Sequence, residues 1–372
     1  MKKSTSLSNI LQLVIPEEKM LPFLEELKYI DVARKFTVYD LFLFLAEAAF
    51  QQWEGYRDGE QRMALCGQRS VDHSTLSKKA KDVPFQLFKR LLDLMIGLCN
   101  RKTRRVLGIP KELLIVNSTT ITVGLGRLTW APHKGQKAGV NLHVGIIGDQ
   151  GELHKVTETT GYEPDLKSCP DLLDRRFILV ADRSYGKHKL FDSYQEQENR
   201  QYFVIRLRDN TTFTNPISRC RKRPFSGSIK QDLICQLGKN MALSQNRFRV
   251  VILEDPKGNP VILATNLHWY SPEGIAEIYK KRWQIEVFFR WIKQHLNIPK
   301  LFGTTPNAVY GQLYTALLIY VLLKFLFEQG NAAVHPSAKL TFVDFDRLFT
   351  LETLPPEWRI YLANVVFPTS II

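Results

Sequence analysis

The stretch Ser271–Asn297, SPEGIAEIYKKRWQIEVFFRWIKQHLN, constrains this chain more than any other. Pro272 near its start and Pro299 just beyond its end predict one long helix, since proline suits a first helical turn and stops a last one. Ile285, Phe289, Ile292 and Leu296 recur at i, i+4, i+7 and i+11, so one face is apolar and predicted to be buried. Tyr279, Arg282, Glu286 and Lys293 recur at i, i+3, i+7 and i+14. At about 100° per residue these four fall within an arc of about 60°, beside the buried face. A phenol, a guanidinium, a carboxylate and an ammonium then share one edge over about 21 Å of helix. Spacing alone fits a half-exposed edge with i,i+4-type pairing as well as a functional stripe.

Charge bears on what such a stripe would meet. The 372 residues include 51 Lys and Arg against 37 Asp and Glu, a balance of +14 that favours a polyanion, either nucleic acid or an anionic membrane surface. No basic amphipathic anchor supports the membrane surface. The most lipid-like stretch, Leu313–Leu323, is only 11 residues long between Gln312 and Lys324, and reads as a buried core helix. The N-terminal MKKSTSLSNILQLVIPEEK has charges but no sustained apolar run, so it does not read as a signal peptide. Cys66, Cys99, Cys169, Cys220 and Cys235 are odd in number and lack C-x-x-C spacing, which predicts reduced thiols. The expectation is a soluble, cytoplasmic nucleic-acid protein of two or three domains.

Residues 1 to about 110 read as helical, with Thr37 as a cap for VYDLFLFLAEAAFQQW and Pro84 opening FQLFKRLLDLMIGLCNRKTRRVL. Between them, Ser74-Thr75-Leu76-Ser77-Lys78-Lys79 suits a helix-turn-helix-like DNA contact or an ordinary serine-rich turn, and Arg101, Lys102, Arg104 and Arg105 add charge. From Glu112 the period changes. Leu113–Val116 is a short buried strand leading into Asn117-Ser118-Thr119-Thr120, and GVNLHVGIIGDQGELHKVTET reads as a hairpin turning at Asp149-Gln150-Gly151. PDLKSCPDLLDRR can form a short helix, and Phe177–Val180 is a strand ending at Ala181-Asp182. Pattern alone reaches α/β or α+β. Residues 200–268 read as β-rich, and between 200 and 230 Arg200, Arg206, Arg208, Arg219, Arg221, Lys222, Arg223 and Lys230 stand against the single acid Asp209. That is a solvated basic loop or a phosphate-contacting surface.

The spacing Tyr279-x2-Arg282-x3-Glu286-x6-Lys293 resembles the Tyr-Arg-Glu-Lys signature of one family of bacterial insertion-sequence transposases with a DDE active site. The resemblance implies a mixed α/β fold. Its parts would be a helical DNA-binding domain (1–110), a ribonuclease-H-like core (111–199 and 269–328), an inserted β-rich subdomain (200–268) and a C-terminal segment of unknown role (329–372). It makes Glu286 the third metal-binding carboxylate, and Tyr279, Arg282 and Lys293 contacts to DNA. Arg290 projects near the stripe as a further phosphate candidate, while Trp283 and Trp291 on its flanks are expected in the core. Asp182, within Val180-Ala181-Asp182-Arg183-Ser184-Tyr185-Gly186, matches the family's second carboxylate.

The first position does not match. The family has an Asp there, and this chain has Asn117. An amide keeps a carbonyl oxygen but lacks the charge that draws in and bridges two hard cations. Glu112 lies about 16 Å back along a strand and is no obvious substitute. Asn141 is a second departure, standing where relatives tend to carry a basic residue. His133, His143 and His295 show no metal-ligand spacing. The resemblance thus implies a cut-and-paste transposase that uses two Mg2+ or Mn2+ ions and pairs as a homodimer on double-stranded DNA, with activity impaired at Asn117. A catalytically inactive, transposase-derived DNA-binding protein is the alternative.

Overall fold

The computed structural model describes residues 7–103, 113–148, 151–165, 169–196, 200–219 and 227–366. Arg104, Arg105, Glu112, Asp149, Gln150, Arg221, Lys222 and Arg223 lie outside them, and of Arg101 and Lys102 only the helical backbone is described. In chain order come helices α1 (Leu7–Val14), α2 (Leu21–Glu26), α3 (Val38–Phe50), α4 (Tyr56–Arg62), α5 (His73–Asp82) and α6 (Phe85–Thr103). Strands β1 (Leu113–Gly124), β2 (Pro132–His133), β3 (Lys137–Ile147) and β4 (Glu152–Thr160) follow, then α7 (Cys169–Leu172), β5 (Ile178–Ala181) and α8 (His188–Ser193). Next are β6 (Phe203–Arg206), β7 (Phe213–Ser218), β8 (Ile229–Leu237), β9 (Phe248–Glu254) and β10 (Pro260–Thr265). The chain closes with α9 (Pro272–Lys280), α10 (Trp283–His295), α11 (Pro306–Ala333), α12 (Phe342–Thr350) and α13 (Pro356–Val366). They form two compact units, one of Met1–Val106, Gly124–Trp130 and Arg290–Ile372, the other of Leu107–Val123 and Ala131–Phe289.

The first unit is helical and built around α11, which packs on α3, α5, α6, α12 and α13. Thr37 caps α3 through a capping box with Asp40. From Ala308 to Leu323 α11 is buried on every side and mostly apolar, as an enclosed helix must be. It is long and apolar enough to cross a membrane, yet 89% of its most apolar window is buried inside the protein, so it serves here as a core helix. Gly330, near its end, lies flush against Trp358: a Cβ there would stand 2.2 Å from the indole. Gly330→Ala gains about 1 kcal/mol of helix propensity but must displace a fully buried ring. A net loss of about 1–2 kcal/mol is expected, read as a lower urea midpoint.

Glu47 on α3 is 3% exposed and accepts a 2.7 Å hydrogen bond from Ser8 Oγ. Burial pushes its carboxyl above the usual range, against the pull of Ser8 and with help from Glu352. A raised folded-state pKa means the folded chain holds that proton more tightly than the unfolded one. The stability this contributes is complete below the unfolded carboxylate pKa and is lost as pH rises through the folded one. Glu47→Gln is therefore expected to flatten the fall in melting temperature as pH rises above the ordinary carboxylate range. An unchanged slope would show that Glu47 does not titrate with unfolding.

The second unit carries one ten-stranded sheet in the order β2-β3-β1-β5-β6-β10-β9-β8-β7, with β4 also on β3. β1, β5 and β6 run parallel, while β3 and β4 are antiparallel. The order β4-β3-β1-β5-β6 is that of a ribonuclease-H-like core. β10, β9, β8 and β7 continue the same sheet as an antiparallel ladder. Side chains alternate between faces along each strand. Leu114, Val116, Leu179, Ala181, Phe203 and Ile205 fill one face with Phe191 of α8. Ile178, Val204, Val251 and Leu263 fill the other with Ile275 of α9.

The single helix expected from Pro272 to Pro299 is in fact two. The amides of Arg282, Gln284 and Ile285 bond three residues back, to Tyr279, Lys281 and Arg282, and this tightened turn separates α9 from α10. The apolar face stands as expected, with Ile285, Phe289, Ile292 and Leu296 all buried.

Candidate active site

Strand register sets the site. Val116 of β1 is paired with Ala181 of β5, and Ala181 with Ile205 of β6. The next residues, Asn117, Asp182 and Arg206, therefore stand abreast on neighbouring parallel strands about 4.8 Å apart: Asn117 within β1, which runs on to Gly124 past the short strand expected, Asp182 just after β5 and Arg206 at the end of β6. Their parity places them on the face shared with Ile178, Val204 and α9. Glu286, in the first turn of α10, reaches them there.

One oxygen of Glu286 takes two donors: Asn117 Nδ2 at 3.1 Å and Arg282 Nη1 at 2.9 Å. Asn117 Oδ1 accepts from the Ser118 amide at 2.9 Å. Rotating the amide would set oxygen against carboxylate and NH2 against N–H, so both neighbours fix its orientation. Asp182 Oδ1 accepts from Ser184 N at 2.8 Å and Ser184 Oγ at 2.6 Å, which holds the turn after β5. The Arg282 guanidinium lies over the Tyr279 ring, 5.8 Å from its centroid. Burial opposes the Arg282 charge, but Glu286, Tyr279 and Asp182 outweigh it and raise its pKa. Burial also pushes the Tyr279 phenol up, against the pull of Arg282 and Arg206, so it stays a neutral hydrogen-bonding group. Asp182, Arg183, Ser184, Arg208, Asp209 and Asn210 line an open cavity of about 510 Å³ beside the carboxylates.

Asn117, Asp182, Tyr279, Arg282 and Glu286 thus come together in one unit, whereas Arg290 and Lys293 fall in the other, on later turns of α10. One of the two tryptophans departs from the core position expected for both. Trp283 is 58% exposed, because the turn before α10 rotates its first residue out of the core; Trp291 is buried, stacked on His295 and Phe342. Asn141, the second departure from the family pattern, is buried, its Oδ1 accepting from Thr120 Oγ1 at 2.7 Å. Lys79 is taken up by a largely buried ion pair with Asp31. Of the basic residues between 200 and 230, Lys230 is paired with Glu254 and Arg219 donates to the His268 carbonyl. Arg206 is what spacing could not single out, since its place depends on the β5–β6 register.

Residues 108–322 match the transposase DDE domain family. Over 367 residues the chain is 43% identical to the "Probable transposase for insertion sequence element IS5377" of Geobacillus stearothermophilus, covering 99% of this chain and 96% of that one. The chain belongs to the DDE transposase family. It is an insertion-sequence transposase by descent, of a family of enzymes that use divalent metal ions and act on DNA. A solved piggyBac transposase synaptic complex with hairpin DNA is similar over 88% of this chain and 75% of its own, at 13% identity and a TM-score of 0.45.

The metal can be tested against the donors present. Asp182 and Glu286 supply hard carboxylate oxygens on one face, which suits a divalent ion. Asn117 turns an N–H donor toward Glu286 and supplies no third carboxylate. The donor set is thus two carboxylates and one amide, chemistry that fits a divalent ion.

Proposed function

We propose that this transposase binds the ends of its own insertion sequence, that Asp182 and Glu286 hold Mg2+ or Mn2+, and that Asn117 occupies the place of the first catalytic carboxylate and limits strand cleavage and transfer. The observation that carries the reading is the Asn117–Glu286 hydrogen bond beside Asp182. A bound ion would activate a water or hydroxyl nucleophile and stabilise the departing oxygen of the DNA phosphodiester, work that an active enzyme shares between two ions. The chain's own groups do the rest. Arg282 offers a guanidinium fork to phosphate and balances Glu286, while Tyr279 supplies a neutral hydroxyl that can hydrogen-bond a phosphate oxygen. Lys293 and Arg290 are further phosphate contacts in this reading. The helical segment 1–110 would read the element's terminal sequence, and two copies would pair on DNA in the cytoplasm, at the nucleoid.

The test is Mg2+- and Mn2+-dependent cleavage of DNA carrying the element's own ends, by this chain beside its Asn117→Asp variant. Cleavage by the variant alone supports the proposal. Binding of those ends without cleavage by either would favour the second reading, a DNA-binding descendant that has lost its chemistry.

A further inference from the structure

Three residues stand abreast across β1, the turn after β5 and the end of β6, and Asn117 and Asp182 are two of them. The third, Arg206, has the parity of Val204 and so faces the carboxylate side of the sheet. Its environment is unusual for a structural arginine. Among the described residues its Nε is buried and has no hydrogen-bond partner. Its ion-pair contact runs from Nη2 to Asp209 at 3.7 Å, beyond hydrogen-bonding distance, with the two side chains 30% and 55% exposed. A pair that loose and that wet adds little. A buried guanidinium N–H left without an acceptor is costly, which points to an acceptor arriving from outside. Arg282 already has an acceptor in Glu286, whereas the Arg206 Nε has none. Arg206 also acts on the Tyr279 phenol, so its charge is felt inside the site. The residues just after it, Arg208, Asp209 and Asn210, share an open cavity with Asp182, which gives a polyanion a way in.

We propose that Arg206 grips a backbone phosphate of the DNA end and positions it against Asp182 and Glu286, its fork taking two phosphate oxygens in place of the loose Asp209 contact. This rests on the end-binding reading above and deepens it by naming one contact. It is a positioning contact and involves no bond making.

The experiment measures binding in EDTA, so it does not depend on cleavage. The full chain and its Arg206→Gln and Arg206→Lys variants are titrated against duplexes ending in the element's terminal sequence, each with one methylphosphonate replacing a phosphate near the end. Arg206→Gln is expected to weaken binding about tenfold and to lower the salt slope by about one ion. Arg206→Lys should recover the slope but only part of the affinity, because an ammonium cannot make the two-pronged contact. One methylphosphonate should weaken the unmodified chain by a similar factor and leave Arg206→Gln unaffected. Equal losses for both proteins at every position would overturn the assignment. If Arg206→Gln melts early, the scan is read between the unmodified chain and Arg206→Lys, where the same crossing pattern is required. Preference for element ends over an unrelated duplex is measured separately. Its loss would count against the end-binding reading, whereas intact preference without the crossing pattern sinks Arg206 alone.

Discussion

Asn117→Asp is expected to raise metal-dependent cleavage of DNA carrying the element's ends by about 100-fold or more, equivalent to about 3 kcal/mol of barrier. As the chain stands, the formal charges of Asp182 and Glu286 are matched by those of Arg282 and Arg206, so the strand ends offer little net attraction for two dications. The substitution supplies the missing negative charge at the same place on β1 and removes the N–H that occupies Glu286. A cost accompanies the gain. Without metal, the new carboxylate faces Glu286 across the 3.1 Å now spanned by a hydrogen bond, and like charges that close destabilise one another. The variant should therefore melt below the parent in EDTA and recover, or overtake it, in Mg2+. The parent should respond less to the ion. Adding Asp182→Asn to the variant should abolish cleavage. If parent and variant cut equally well, Asn117 does not limit the chemistry and another acid completes the site.

The parts of the site that sequence made legible are those set by local spacing. Arg282 and Glu286 are four residues apart, and the ion pair between them follows from one helical turn. Asp182 follows a run of apolar residues and could be placed at the end of a strand before any pairing was known, whereas β1 runs on through Asn117 to Gly124, past the end that its apolar run suggests. What escaped depends on long-range register or on a break without a sequence marker. Arg206 is ordinary within QYFVIRLR and gains meaning only when β6 lies parallel to β5. No proline or glycine marks Lys281–Arg282, where backbone bonds tighten from four residues to three and turn Trp283 outward. Alternation along a strand also says nothing about which polar residue will be enclosed. Asn141 and His143 are both buried on β3, and Arg249 and Asp232 form a sealed pair where composition suggests surface charge.

That sealed pair carries the largest expected stability effect. Asp232→Ala should destabilise the protein by about 3–5 kcal/mol, measured as a lower urea midpoint. Arg249 on β9 and Asp232 on β8 are 1% and 3% exposed, joined by two parallel bonds of 2.8 and 2.9 Å. Arg249 also donates from Nη1 to the carbonyls of Leu267 at 2.9 Å and Tyr270 at 2.7 Å. Removing the carboxylate strands a guanidinium where water cannot reach it, and that penalty exceeds what the pair itself contributes. Asp232→Asn keeps one acceptor and should cost less. Replacing both members with apolar residues is often neutral for a buried pair. Here it should still destabilise, because the two carbonyls would lose their donor. Those carbonyls lie just before Ser271, the cap of α9, whose far end carries Tyr279 and leads into Arg282 and Glu286. Loosening them should therefore also erode the cleavage gained by Asn117→Asp when the two changes are combined. A loss below about 1 kcal/mol for Asp232→Ala would mean that water or another residue takes the place of the carboxylate, and the pair would then have no part in holding α9.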